Sequence, residues 1–92
     1  MEGQATISAD ILARYASDAA REVAGVRGLV GRRSARVSEA DGRVTVELHV
    51  GVEWGAAIPA VGRAVQERVR AYLEKMTDLD LAAVNVVVDE IS

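Results

Sequence analysis

The feature that most constrains this chain is a stretch of strict alternation between residues 43 and 53. Its odd positions carry polar side chains or glycine, and its even positions are all apolar: Val44, Val46, Leu48, Val50 and Val52. A period of two indicates a strand with one buried face. Pro59 then lies at the start of a helical pattern, and a second apolar segment runs from Val84 to Val88. This half of the chain therefore predicts a β-α-β unit, and the usual right-handed crossover makes its two strands parallel.

The first half of the chain predicts one helix and two further strands. Ala5–Ile7 is expected to form a short strand, and Ser8 is the N-cap of a helix whose apolar residues recur at helical spacing. Residues 25–32 contain three glycines and predict a loop with some extended character. A strand over residues 34–38 then joins the alternating strand through the turn Asp41-Gly42.

These elements give the order β-α-β-β-α-β. We therefore expect a single α+β domain over residues 1–92, with a small mixed sheet and two helices on one of its faces. A chain of 92 residues supports one modest core, and the absence of Phe leaves Val, Ala, Leu and Ile to build it. A core of small aliphatic side chains predicts limited stability for the isolated chain, which a homo-oligomer would increase.

The composition argues against several classes of function. The chain has no cysteine, which excludes disulfide bonds, thiolate catalysis and cysteine-based zinc sites. No apolar run approaches the roughly 20 residues that cross a bilayer, and the N-terminus does not read as a signal peptide, so we expect a cytoplasmic protein without direct membrane insertion. A net charge of −3 disfavours nucleic-acid binding. Because no phosphate loop or nucleophile–base pair is present, we predict no enzyme, no catalytic residues and no cofactor.

The one histidine, His49, shares its strand face with Glu47 and Glu53. One interpretation is a metal site or an acid–base pair, and the other is a solvated strand residue. Successive side chains on one face of a strand lie about 6.6 to 7 Å apart, which is too far for the two glutamates to converge. We therefore favour the solvated residue and predict no metal site.

Two apolar residues are candidates for contact with a partner. Val87 lies in mid-strand on the same face as His49, where the other residues are polar. This predicts self-association through a second layer on this face or through the edge strand beside it. Trp54, at the end of the alternating strand, either anchors a partner, as Trp often does at binding hot spots, or caps one end of the core. Both interpretations of Trp54 remain open at this point.

Arginines are concentrated between the first helix and the alternating strand: Arg27, Arg32, Arg33, Arg36 and Arg43. Such a cluster could bind an anionic partner, lipid headgroups or RNA phosphates. Glu39 and Asp41 lie in the same segment, so we favour a charged edge that protects a strand from mispairing. The first four of these arginines are kept as candidate interaction residues.

Several short segments, in order over nearly the whole chain, match one known family: Ile7-Ser8, Glu22-Val23-Ala24-Gly25-Val26-Arg27-Gly28, Val52-Glu53-Trp54-Gly55, Ile58-Pro59, Val65-Gln66-Glu67-Arg68-Val69, Met76-Thr77-Asp78-Leu79 and Val84-Asn85-Val86-Val87-Val88. They resemble the alkaline shock protein family of Gram-positive bacteria. The resemblance implies a non-enzymatic, cytoplasmic envelope stress response protein that acts as a structural or scaffolding module. It also implies self-association and attachment to the inner side of the envelope through a small membrane-anchored protein partner.

The alternative is a KH-like nucleic-acid-binding module that uses the arginine-rich loop and hairpin. Gly25-Val26-Arg27-Gly28 matches the GxxG of a KH domain, which clamps the nucleotide backbone. In a KH domain this motif joins two helices, whereas here it joins a helix to a loop and a strand. The local context therefore disfavours this alternative.

Overall fold

The computed structural model describes residues 7–92, which form two helices and four strands. In chain order these are α1 (Ala9–Arg21), β1 (Val26–Leu29), β2 (Ala35–Ala40), β3 (Arg43–Val52), α2 (Ile58–Met76) and β4 (Asp80–Ile91). The α+β class that the sequence predicts is confirmed.

Strand β3 is the centre of the sheet and is paired along both of its edges. On one edge β2 runs antiparallel to Arg43–Leu48, and β1 runs antiparallel to Val50–Val52. Strand β4 pairs parallel with β3 from Arg43 to Val52, so it occupies the other edge. The sheet is therefore mixed, and the predicted parallel pairing across the β-α-β unit is confirmed.

One strand differs from the sequence-based expectation. The strand predicted for Ala5–Ile7 lies outside the described residues except for Ile7, which is not in a strand. Conversely, the glycine-rich segment predicted to be a loop contains β1. The reason is that β2 ends its pairing at Leu48, which leaves the backbone groups of β3 beyond that point without partners. Strand β1 satisfies them, and the N–H of Glu53 extends this pairing by donating to the carbonyl of Gly25 at 2.8 Å.

Both helices begin as their sequences predict. The Ser8 hydroxyl accepts a hydrogen bond from the N–H of Ile11 at 3.2 Å and so caps α1. Pro59 lies in the first turn of α2, where its missing N–H would have no partner within the helix. The helices are also joined, because Arg68 in the middle of α2 forms an ion pair of 2.9 Å with Glu22 at the end of α1.

The core lies between the two helices and the even face of β3. The five even residues of β3 are buried, and four of them have no exposed surface. Both helices cover this face with small or branched side chains: Leu12, Ala16, Ala19 and Ala20 from α1, and Val61, Val65, Val69 and Leu73 from α2. Tyr15 and Tyr72 meet edge to face between the helices, with ring centroids 5.9 Å apart. The predicted placement of both helices on one face is confirmed.

Gly25 allows the turn after α1 to approach α2 closely. Its φ is +96°, and a Cβ at this position would lie 2.9 Å from Cγ2 of Val61. Gly31 has a similar φ of +89°, but a Cβ there would meet nothing within 4 Å. The two glycines share the same backbone constraint, and only Gly25 is also restricted by packing.

We therefore expect Gly25→Ala to be more destabilising than Gly31→Ala. Each substitution places a Cβ on a backbone with positive φ, which costs about 1–3 kcal/mol. Gly25→Ala must also displace the buried Val61 side chain. Urea unfolding followed by circular dichroism measures both free energies of unfolding. Equal losses for the two variants would contradict the close packing of this turn on α2.

Candidate functional site

The face of the sheet turned away from the helices, here called the outer face, carries the candidate residues of β3 and β4. His49 of β3 is the register partner of Val87 of β4, and Glu47 is the partner of Asn85. On the other side of β3, Glu47 pairs with Arg36 of β2. The sequence predicts Val87 and His49 on one face, and the structure makes them direct neighbours across β3 and β4. Val87 is 37% exposed.

The His49 ring bridges two carboxylates on the outer face. Its Nε2 lies 2.9 Å from Oε2 of Glu47, and its Nδ1 lies 2.6 Å from Oδ2 of Asp89 on β4. The side chain is 26% exposed, so His49 is partly solvated, as the sequence predicts, and also holds two carboxylates. Sequence reasoning considered Glu47 and Glu53 but missed Asp89, which lies 40 residues further along the chain. The available signal was the alternation of β4, which puts Asp89 two residues beyond Val87.

The two carboxylates raise the pKa of His49 above its ordinary value of 6.5, mainly through the hydrogen bond to Glu47 and then through that to Asp89. Only the protonated ring carries two N–H donors, so only this form donates to both carboxylates at once. The folded-state pKa is higher than the unfolded one. The hydrogen bonds of His49 to the two carboxylates therefore stabilise the fold fully below pH 6.5. This contribution is lost as the pH rises through the raised pKa of His49.

This arrangement does not resemble a metal centre. Glu47 and Asp89 bind opposite nitrogens of the ring, so their oxygens do not converge on one point together with either nitrogen. Within residues 7–92 no group of three or more His, Asp or Glu side chains is placed to hold a metal ion. The chemistry that the cluster performs is proton binding and bridging of two strands.

Trp54 lies at the end of β3 with its indole in solvent. Its side chain is 84% exposed, so the interpretation that it caps the core is wrong. The backbone is nevertheless held in place, because the N–H of Trp54 donates to the carbonyl of Ser92 at 2.9 Å and the N–H of Ser92 donates to Val52 at 3.1 Å. The turn after β3 therefore presents an exposed indole from a backbone that is hydrogen-bonded to the end of the chain's last strand.

The four candidate arginines lie together along one edge of the sheet, here called the arginine edge. Arg27 is in β1, Arg36 is in β2, and the other two lie in the loop between these strands; all four, Arg27, Arg32, Arg33 and Arg36, are exposed. In the described part of the chain none of them forms an ion pair, whereas Arg43 pairs with Asp80 at 3.3 Å. The opposite edge carries Asp89 and Glu90, both exposed. The arginine edge also carries the exposed Glu39 of β2, so its charge is mixed.

Two side chains of α2 cover part of the β4 edge, which sequence reasoning did not anticipate. Gln66 donates to the carbonyl of Val84 at 3.1 Å, and Arg70 donates to that of Leu81 at 3.2 Å. Both residues lie on the polar side of the helix, so periodicity alone would leave them in solvent. Their hydrogen bonds occupy backbone acceptors that an edge strand otherwise exposes.

A cleft of about 620 Å³ lies between the start of α1, the hairpin of β2 and β3, and the connection from α2 to β4. Leu12 and Val44 contribute apolar surface, and Glu39 and Asp78 contribute carboxylates. None of the interaction residues predicted from the sequence lines it. In the described residues, neither helix is long and apolar enough to cross a membrane.

A titration of His49 by NMR tests the bridge. We expect the pKa of His49 to lie above 6.5 in the parent protein and to fall in Glu47→Gln and in Asp89→Asn, because each variant removes a negative hydrogen-bond partner. Glu53→Gln is the matched control, since this carboxylate lies on β3's continuation but does not contact the ring. A fall in Glu53→Gln equal to those in the other two variants would show that general charge, and not the bridge, raises the pKa.

Comparison with known proteins relates this chain to one family. A model of the alkaline shock protein 23 family, described as having a cell envelope-related function, matches residues 32–92. The uncharacterized protein YqhY of Bacillus subtilis is 30% identical, over 91% of this chain and 73% of its own length. The uncharacterized protein Spy1535 of Streptococcus pyogenes is 26% identical, over 97% and 79%.

Solved structures share the architecture at lower identity. A structure of the MamM CTD superimposes with a TM-score of 0.63 and 18% identity, over 90% of this chain and 94% of that one. A manganese form of a MamM CTD variant gives a TM-score of 0.61 over 88% of this chain. At such identity the likeness concerns the fold alone.

The family match covers most of the chain, and the protein therefore belongs to the alkaline shock protein 23 family, whose function relates to the cell envelope.

Proposed function

We propose that the protein is a non-enzymatic scaffolding module that acts on the cytoplasmic side of the cell envelope. It associates with copies of itself and binds a small membrane-anchored protein. The observation that carries this proposal is that exposed apolar side chains lie at separate positions, Val87 on β4 and Trp54 in the turn after β3. Membership of an envelope-related family supports the location.

The two positions can be occupied at the same time. Val87 lies beside His49, and Trp54 lies five residues further along the chain than His49, a distance of about 16 Å at the rise of an extended chain. The backbone at both positions is held by hydrogen bonds to neighbouring segments, so little ordering is needed on binding. A module with two such separate contacts can link its own copies to a second protein.

The polar residues of the outer face support a role without turnover. Both nitrogens of His49 are engaged by carboxylates, which leaves neither free to accept a proton from a substrate. The hydroxyls of Ser38 and Thr45 are register partners four positions from His49 along β3 and make no hydrogen bond to its ring. This supports a face that binds rather than one that performs covalent catalysis.

The KH-like alternative has less support. Gly28 of the GxxG segment pairs with Gly51 inside the sheet, so the segment belongs to a strand rather than to a turn between two helices. The arginine edge remains a basic surface, but Asp89 and Glu90 lie at the other side of the same sheet. RNA binding that weakens steeply with added salt would favour the alternative.

Self-association is tested with Val87→Asp. Burial of Val87 favours association by about 1.5 kcal/mol or more, and a buried carboxylate opposes it, so we expect self-association to weaken at least about tenfold. Light scattering measures the mass, and circular dichroism verifies that the variant is folded. Ile11→Asp is the matched control, because Ile11 is an exposed apolar residue of α1 where an acidic residue is favourable to the helix. A lower oligomeric mass for Ile11→Asp, with the parental mass for Val87→Asp, would show that the copies associate through the helices instead.

Binding to the membrane-anchored partner is tested with Trp54→Ala. We expect this variant to keep its oligomeric mass but to sediment less with native membranes, because the indole supplies the largest exposed apolar contact. Neither the parent protein nor Trp54→Ala should sediment with membranes stripped of integral proteins or float with liposomes of anionic lipid. Retention by pure anionic liposomes that disappears when the arginine edge is neutralised would show direct lipid binding and would contradict the partner model.

A further inference from the structure

Strand β4 has one edge that is only partly covered. Its carbonyl at Val84 accepts from Gln66 of α2, so the backbone groups of Val84 point away from β3. This direction alternates along a strand, and the N–H and C=O groups of Val86 and Val88 therefore point outward as well. In residues 7–92 no backbone or side-chain group hydrogen-bonds to them from that side. Such groups can pair with another strand.

The uncovered part of the edge, here called the free segment, is Asn85–Asp89. On its N-terminal side α2 occupies the carbonyls of Leu81 and Val84. On its C-terminal side Val88 pairs with Val50 but Glu90 pairs with Gly51, so Asp89 is an extra residue that bends the strand. The free segment therefore has definite limits on both sides, and Val87 is its midpoint.

We infer that the free segment pairs antiparallel with the free segment of a second copy, about a two-fold axis through Val87. In this register Val86 of each copy lies opposite Val88 of the other. The two residues of each such pair donate a backbone hydrogen bond to one another, which gives four hydrogen bonds in all. This inference rests on the proposed self-association and specifies its surface and register. Two sheets join into one, with the helices of both copies on the same face.

The side chains of the free segment are complementary to themselves in this register. Val87 faces Val87 of the second copy, and the Asn85 amide faces the Asp89 carboxylate, whose Oδ2 holds His49 and whose Oδ1 can accept from the amide. If the axis passed through Val86 or Val88 instead, Val87 would lie opposite Asn85 or Asp89. The contact between the two Val87 side chains and the pairing of Asn85 with Asp89 would both be lost. An axis at Asp89 would place two carboxylates opposite each other. The segment thus fits a second copy better in one register than in its neighbours.

The joined sheet keeps the other candidate surfaces accessible. The arginine edge of each copy lies on the far side of β3 from β4, so it forms an outer margin of the joined sheet. Trp54 follows the end of β3, outside the free segment. A dimer formed in this way therefore offers two equivalent sites to a membrane-anchored partner, which raises the avidity of attachment.

Proline substitutions test the edge pairing. Val86→Pro and Val88→Pro each remove an N–H that points away from β3, so the pairing of β3 with β4 is retained while the new edge is blocked. We expect each to weaken self-association at least about tenfold by sedimentation velocity, since every substitution acts twice in a symmetric pair. Val86→Thr is the matched control, because it retains the N–H and should keep the parental mass. Val87→Pro should instead destabilise the fold, since its N–H points towards β3.

Single cysteines test the register and do not depend on proline being tolerated. The chain has no cysteine, so Val87→Cys introduces one thiol per copy, with Cα atoms about 4.5 Å apart across the axis, within the range of a disulfide. Oxidation should give a covalent dimer. Neither Asn85→Cys nor Asp89→Cys should form a covalent dimer by itself. A mixture of the two variants should form one, because position 85 of one copy faces position 89 of the other.

The outcomes separate the inference from the proposed function. Parental mass in folded Val86→Pro and Val88→Pro would overturn the edge pairing while leaving self-association intact. Cross-linking of Asn85→Cys alone, without cross-linking of Val87→Cys, would overturn the register. A parent protein that remains monomeric at every concentration would overturn the proposed self-association itself.

Discussion

The double pairing of β3 is the constraint on which the rest of this structure depends. A strand with one fully buried face needs partners for its backbone on both edges and an apolar layer over that face. Strands β1 and β2 share one edge, β4 takes the other, and both helices supply the layer. The parallel partner can only be reached through a crossover, which explains why α2 separates β3 from β4. Even the unexpected strand β1 exists because β2 is too short to pair with all of β3.

The same pairing creates the cluster on the outer face. Because β4 runs parallel to β3, Asp89 reaches the ring of His49 from a neighbouring strand, while Glu47 reaches it from the same strand. These hydrogen bonds connect β3 to β4 near Val87, and their strength depends on the protonation of the imidazole. The cluster is thus a structural element of the surface that we propose for interaction.

The core of small aliphatic side chains fits a protein that functions as part of an assembly. Val87 and Ile91 are the large apolar side chains of the described strands that are exposed, and Trp54 lies in the turn that follows β3, with its backbone held by Ser92. Helix α2 covers the first part of the β4 edge with Gln66 and Arg70 and leaves the rest uncovered. Natural proteins usually protect their edge strands, so an edge that is protected over part of its length is consistent with controlled pairing of copies.

The sequence by itself determined the class of fold, the alternating strand, both helices and the placement of Val87 and His49 on one face of the sheet, because these follow from periodicity and local capping, which act over a few residues. It also carried the family, through segments spread along the chain. Only the tertiary structure decided that the glycine-rich segment forms β1, that Trp54 lies in solvent, and that Gln66 and Arg70 cover an edge. It also decided that Asp89 completes the His49 bridge. These features depend on which backbone and side-chain groups meet across large separations in sequence, and no local pattern encodes that meeting.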